Sequence, residues 1–218
     1  MTARTTTAVA AGLIGLGMLA GCPDPSQKFD EFIARKDASG QGQGGSAFCP
    51  SAAPMGMDAN GEYFFSLLPT ELSPDKPAPF LATITVANGE LTLELLPLNA
   101  DDRTSVAVDA MTMMEVGTQT FGPFPIADDG TVEITLNGAI VPGDTNPIST
   151  NDLTVDAVLT GAFCTETDAL CGDFSGVVTA PATLAGLALL GTWNMTRIDG
   201  DYPEPPPINC DGDLTQPL

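Results

Sequence analysis

The chain contains no histidine, and lysine and arginine together account for only 7 of its 218 residues. Without an imidazole, Ser-His and Cys-His nucleophile pairs and histidine metal ligands are excluded. The 28 aspartates and glutamates bring the formal net charge to −21. Because phosphate backbones repel a surface of that charge, we expect no nucleic-acid partner.

A transmembrane helix is also not expected near the amino terminus. The uncharged stretch at residues 8–20 has 13 residues, which as a helix would span about 20 Å. A bilayer core needs about 30 Å. The stretch follows Arg4 and ends in small residues, a pattern typical of a secretory signal.

The four residues that end this stretch, Leu19-Ala20-Gly21-Cys22, resemble the lipobox of bacterial lipoproteins. In that family the cysteine receives a diacylglycerol thioether, the signal is cut before it, and the new amino terminus is usually acylated. The resemblance implies a signal peptide at residues 1–21, lipidation of Cys22 and a membrane held through the lipid. The chain is also similar to uncharacterised Gram-negative envelope lipoproteins. This similarity implies the bacterial cell envelope, with the outer membrane favoured over the inner one.

Residues 22–47 are predicted to connect the lipid to the folded domain. A short helix is predicted at residues 27–36, where Phe29, Phe32 and Ile33 share one face. Residues 39–46 consist of glycine, serine and glutamine, a composition typical of a flexible tether.

The remainder, residues 48–218, is predicted to be a single acidic β-domain. Apolar and polar residues alternate in several segments, and Asn88-Gly89 between two of them is a strong signal for a hairpin. The candidate strands are residues 61–68, 80–86, 91–95, 104–115, 121–126, 131–136, 153–163, 173–180 and 187–198. About eight strands without long helices predict an all-β, antiparallel sandwich or closed barrel. The proline-rich residues 202–207 are predicted to form a surface strap.

The alternation also predicts which side chains face inward. These residues are aliphatic or Phe and of medium size, and they are expected to fill the interior (Phe80, Ala82, Ile84, Val86, Leu91, Leu93, Leu95, Val132, Ile134, Leu136, Leu153, Val155, Ala157 and Leu159). Trp193 and Arg197 share a face of the last strand. They could orient a ligand or close one end of the core.

Four cysteines remain once Cys22 is lipidated, and in an oxidising compartment they indicate two disulfides. Cys164 and Cys171 flank a short loop between two candidate strands, so we expect them to pair. Cys49 and Cys210 would then pair and join the domain ends. A zinc site is disfavoured because the sequence contains no C-x-x-C.

No metal or cofactor is predicted. Acidic turns near the carboxyl terminus offer weak calcium candidates (Asp199, Asp201, Asp211 and Asp213), but ordinary turn chemistry explains these residues equally well. Met111, Met113 and Met114 do not converge on one face as a Cu(I) site would require, and core packing is predicted for them.

The sequence therefore predicts a lipid-anchored envelope protein with a non-catalytic β-domain that binds a partner or has a structural role. An envelope protein or a glycan is the expected kind of partner. Two alternatives remain open: a small-molecule carrier with a barrel cavity, and a hydrolase that uses a carboxylate pair.

Overall fold

The computed structural model describes residues 58–109, 112–164, 168–200, 202–203 and 207–210. The lipobox with Cys22, the predicted helix 27–36, the tether 39–46 and Cys49 lie outside the described residues. The described residues contain no helix that is long and apolar enough to cross a membrane.

The described part of the chain contains eight antiparallel strands. They are β1 (Gly61–Leu68), β2 (Ala78–Ala87), β3 (Glu90–Pro97), β4 (Gln119–Pro125), β5 (Thr131–Val141), β6 (Leu153–Cys164), β7 (Ala169–Ala180) and β8 (Ala188–Arg197). They form one sheet in the order β4-β3-β2-β1-β8-β7-β6-β5. Strands that follow one another along the chain are neighbours, except β4 and β5 at the two edges, and β1 also pairs with β8.

The sheet curls until its edge strands, β4 and β5, approach each other. One isolated bridge joins Ile126 to Val132. The Gln119 side chain joins the edges elsewhere: its amide nitrogen donates to the Ile140 carbonyl oxygen at 2.9 Å, and its amide oxygen accepts from the Ile140 N–H at 2.7 Å. The result is a nearly closed, barrel-like sheet. The predicted single antiparallel all-β fold of about eight strands is confirmed.

The hairpin between β2 and β3 forms where the sequence predicted it. Ala87 pairs with Glu90, so Asn88 and Gly89 alone make the turn. Their φ angles are 55° and 80°, in the left-handed region that asparagine and glycine tolerate and that a tight hairpin turn requires.

One candidate strand is wrong. In residues 104–109 and 112–115, the described part of that range, the only pairings are isolated bridges, from Val106 to Leu98 and from Val108 to Glu115. The Asp102 carboxylate accepts hydrogen bonds from the backbone N–H groups of Thr104 and Ser105. These bonds fold the chain into turns at the point where an extended strand was expected.

Apolar side chains fill the interior of the sheet. The predicted inward residues are buried there, except for Val86, which is partly buried. Trp193 is fully buried and packs edge-to-face against Phe65, with ring centroids 6.2 Å apart. Gly161 makes room for the indole, because a Cβ there would lie 2.5 Å from Cζ2 of Trp193. One apolar cavity of about 30 Å³ lies among residues that include Leu67, Phe174 and Leu189.

Arg197 closes the end of the barrel at which the chain enters β1. Its guanidinium donates to the Asn60 and Asp58 carbonyl oxygens at 2.7 and 2.6 Å, and its Nε lies 2.9 Å from the Asp168 carboxylate. It also lies over the Tyr63 ring, 5.1 Å from the centroid. Arg197 therefore joins three separate parts of the chain, and its partner in the core is Tyr63 and not Trp193.

We expect Arg197→Met to lower the free energy of unfolding by about 2–3 kcal/mol, because two charge-assisted hydrogen bonds and an ion pair are lost together. Arg197→Lys is the matched control. Lysine keeps the charge but lacks the planar fork that reaches both carbonyl oxygens, so we expect it to recover only part of the loss. Urea unfolding followed by circular dichroism measures both variants. Equal stability of Arg197→Met and wild type would contradict this role.

The raised pKa of Tyr63 predicts that the free energy of unfolding falls at alkaline pH. Burial raises its pKa from 10.0 to about 12, against the opposing effect of the Arg197 charge. Below pH 10 the phenol is neutral in both states. Between pH 10 and 12 the unfolded chain loses the proton that the folded chain keeps, so stability falls by up to about 2–3 kcal/mol. In Tyr63→Phe this part of the loss should disappear. The prediction would be contradicted if the free energy of unfolding fell equally between pH 10 and 12 in wild type and in Tyr63→Phe.

The carboxyl-terminal residues cover the outer face of β1, β7 and β8. The Tyr202 ring lies 5.6 Å from that of Phe64. The Thr192 hydroxyl donates to the Ile208 carbonyl oxygen, and the Asn194 amide donates to that of Asn209, each at 2.8 Å. Phe64 is therefore buried although it faces away from the barrel interior.

The disulfides correct both predicted pairings. Cys171 is bonded to Cys210, with Cα atoms 5.3 Å apart. Cys164 lies two positions out of register, since it pairs with Ala169 while Cys171 pairs with Ala162. The sulfurs of Cys164 and Cys171 approach to 3.3 Å without bonding. Cys164 is itself disulfide-bonded, to a partner outside the described residues. The predicted Cys164–Cys171 disulfide does not form, because the carboxyl-terminal segment returns to the outer face of β7 and β8 and brings Cys210 to Cys171.

Candidate functional site

The two ends of the barrel differ in their connections. The connections after β2, β4 and β6 are short, and the chain enters β1 and leaves β8 at that same end. The connections after β1, β3, β5 and β7 lie at the opposite end and are longer. We call this opposite end the loop end.

A cleft of about 370 Å³ opens at the loop end. Three connections line it: residues 76–77 after β1, residues 99–103 after β3, and residues 143–150 after β5. Its charged side chains are Lys76, Asp101, Arg103 and Asp144. The size lies at the lower end of the range of small-molecule sites.

The wall after β3 is held by its own side chains. The Asp102 carboxylate accepts from the Ser105 hydroxyl at 2.6 Å and from two backbone N–H groups. These hydrogen bonds, with that of the Ser105 hydroxyl first among them, lower the pKa of Asp102 from its usual value. Asn99 accepts from the Asp101 N–H at 2.8 Å. Arg103 has φ of 57° and its side chain is buried. The local hydrogen bonds and this burial order the wall.

The wall after β5 is held in the same way. The buried Asn146 donates to the Asn151 carbonyl oxygen and to the Ser149 hydroxyl, and its amide oxygen accepts from the Ile148 N–H. The Asp152 carboxylate accepts from the Gly143 N–H at 2.7 Å. Gly143 has no space for a side chain, because a Cβ there would collide with the Thr150 carbonyl oxygen.

Two hydrogen bonds join these walls to each other. The Ala100 N–H donates to the Asp144 carbonyl oxygen at 2.8 Å. The Thr145 hydroxyl, fully buried, donates to the Leu98 carbonyl oxygen at 2.8 Å. The cleft is therefore preformed, as binding sites for small molecules usually are.

The third wall carries Lys76. The Ser73 hydroxyl donates to the Lys76 carbonyl oxygen at 3.1 Å, which orders the backbone. The Lys76 side chain is exposed at the cleft. Pro77, Pro147 and Ile148 add apolar surface, so the cleft offers charged groups beside a small apolar platform.

Only one of the four calcium candidates lies within the described residues, so the calcium hypothesis stays a prediction. Asp199 is exposed after β8, while Asp201, Asp211 and Asp213 lie outside the described residues. Three cysteine sulfurs, those of Cys164, Cys171 and Cys210, lie within 4.8 Å of one another, but all three are in disulfides.

The methionine prediction is wrong for the two residues that the structure describes. Met113 and Met114 are 73% and 66% exposed, and Met111 lies outside the described residues. Met113 has φ of 55°, and the Asp109 carboxylate accepts from the Thr112 N–H and hydroxyl. This turn carries Met113 and Met114 away from the core.

Comparison with known proteins does not place the chain in a family, since no family model, no curated protein and no solved structure matches it.

Sequence patterns did not reveal the cleft. The Asp101-Asp102 pair indicates a turn, which is what Asp102 forms, but nothing in the local pattern links that turn to residues 143–150. One feature of the sequence could have indicated ordered loops there: both long connections contain asparagine and aspartate, whose side chains order loops through local hydrogen bonds.

Proposed function

We propose that the protein is a lipid-anchored module of the bacterial cell envelope that binds a small polar ligand, without catalysis, in the cleft at the loop end. The preformed cleft is the observation that carries this proposal. Its walls are fixed by hydrogen bonds, so a ligand would bind without a large cost for ordering the loops.

The anchored part of the proposal is supported by the resemblance of Leu19-Ala20-Gly21-Cys22 to a lipobox. A lipid on Cys22 would hold the chain to a membrane at its amino terminus. We place the anchor in the outer membrane, in line with the resemblance to Gram-negative lipoproteins.

The filled interior argues against the carrier alternative. A carrier barrel leaves part of its interior open, whereas the cavity among Leu67, Phe174 and Leu189 has a volume of only about 30 Å³, on the order of one water molecule. Entry of a larger apolar ligand would require repacking of the core, which costs free energy.

A carboxylate hydrolase is the second candidate, because Asp101 and Asp144 both line the cleft. Such an enzyme needs one carboxyl as acid and another as base or nucleophile. Cleavage of chromogenic glycosides that is abolished in both Asp101→Asn and Asp144→Asn would support this candidate over simple binding.

The anchor is tested with Cys22→Ser. We expect wild type to fractionate with membranes and to carry a lipid on Cys22 in mass spectrometry. The serine variant should be soluble or uncleaved, because serine offers no thiol for the thioether. An unmodified Cys22 in the wild-type protein would contradict the anchored function.

Binding is tested on arrays of defined glycans and peptides with a variant that fills the cleft. Ala100 lines it, so Ala100→Trp should abolish any specific binding. Thr85→Trp is the matched control, since Thr85 is exposed on β2 away from the cleft. Binding that survives Ala100→Trp, or the absence of binding by wild type to every array member, would contradict the proposal.

A further inference from the structure

Positive charge is scarce in this protein, and its placement is uneven. The described residues contain three cationic side chains, those of Lys76, Arg103 and Arg197. Arg197 joins parts of the chain at the end of the barrel where the chain enters β1 and leaves β8. The other two line the cleft at the loop end.

Two carboxylates balance these cations within the cleft, those of Asp101 and Asp144. Both aspartates and Lys76 are exposed. Within the described part of the chain, neither the Lys76 ammonium nor these two carboxylates form a side-chain hydrogen bond or an ion pair. Groups of both signs are therefore available to a ligand.

On the basis of the proposed function, we infer that the cleft binds a small zwitterion that carries a carboxylate and an ammonium group, namely an amino acid or a short peptide with free ends. The ligand carboxylate would lie against Lys76, the exposed cation of the cleft. Its ammonium would lie against Asp101 and Asp144.

The charge of the whole protein favours a zwitterion over a simple anion. A net charge of −21 repels an anion at long range. A simple cation would meet the exposed Lys76 inside the cleft. A ligand with both charges and no net charge avoids the long-range repulsion and pairs with both sets of groups at contact distance.

The size and surface of the cleft limit the ligand further. Its volume of about 370 Å³ suits an amino acid or a dipeptide better than a longer chain. Pro77, Pro147 and Ile148 provide apolar surface for the ligand's aliphatic part.

The test compares three pools of dipeptides that share the same sequences. One pool has free ends, one is N-acetylated and lacks the ammonium, and one is C-amidated and lacks the carboxylate. Binding to the full mature chain is measured by saturation-transfer NMR and calorimetry. We expect the free-ended pool to bind at least about tenfold more tightly than either capped pool, since one lost charge-assisted contact has about that effect.

Two variants assign the charges. Asp144→Asn should lower the affinity for the free-ended pool about tenfold and leave the affinity for the N-acetylated pool unchanged. Lys76→Met should lower the affinity for the free-ended pool and leave the affinity for the C-amidated pool unchanged. Glu90→Gln is the matched control for Asp144→Asn, because Glu90 is exposed at the β2–β3 turn and its substitution changes the net charge equally.

The outcomes separate this inference from the proposed function. Equal binding of all three pools, lost in Ala100→Trp, would overturn the zwitterion and leave the cleft as a binding site. No binding by any pool would also overturn the zwitterion, and the glycan and peptide arrays would then decide the proposed function by themselves.

Discussion

Trp193→Ala should lower the free energy of unfolding by about 3–5 kcal/mol, a larger loss than we expect from any other single substitution in this protein. The indole is fully buried, packs edge-to-face on Phe65, and donates through Nε1 to the Asp173 carbonyl oxygen at 2.9 Å. Rigid strands on every side prevent the space from collapsing, so a cavity remains. Urea unfolding followed by circular dichroism measures the loss, because the chain has no other tryptophan to report by fluorescence.

Trp193→Phe is the matched control. Phenylalanine keeps an aromatic ring near Phe65 but lacks the N–H that reaches Asp173. We therefore expect Trp193→Phe to lower the free energy of unfolding by less than Trp193→Ala does. A loss below about 1 kcal/mol in the alanine variant would mean that the core repacks freely and that Trp193 does not organise it.

Removal of the Cys171–Cys210 disulfide should cost about 4 kcal/mol of stability. The two residues are 39 positions apart, and loop-closure entropy for a loop of that length gives this magnitude. The double variant Cys171→Ala with Cys210→Ala is preferable to a single one. A free Cys171 thiol would lie beside Cys164, 3.3 Å away sulfur to sulfur, where it could exchange with the other disulfide.

The control for the disulfide is Thr192→Val, which removes only the hydrogen bond to Ile208 and should cost about 1 kcal/mol. Non-reducing peptide mapping of the wild type should give a peptide that links Cys171 to Cys210. A peptide that links Cys164 to Cys171 would contradict the observed pairing, and unchanged stability of the double variant would contradict the energetic role.

Regular strands with one buried face were predicted well. In β3, and in β2 from Phe80 onward, more and less buried side chains alternate. The pairing of Leu91, Leu93 and Leu95 with Val86, Ile84 and Ala82 buries all of them except Val86. A shift of one residue would expose this entire set, so the pattern alone determines the register. Asn88 and Gly89 determine the turn for the same kind of local reason.

Local patterns failed where side chains compete with the backbone or where distant segments cover a surface. Residues 104–115 contain alternating residues, but Asp102 and Asp109 fold them into turns. Phe64 and Asn194 face outward on their strands and are nevertheless buried, because the carboxyl-terminal residues lie over them. Neither effect has a period that a sequence pattern would reveal.

The sequence by itself determined the fold class, the inward face of most strands and the positions of the tight turns, because each depends on residues that are neighbours along the chain or two apart. The tertiary structure alone decided the partner of Cys171, the role of Arg197 and the cleft that Lys76, Arg103 and Asp144 share. The groups that meet in each case lie tens of positions apart or more along the chain, and only the closing of the sheet places them together.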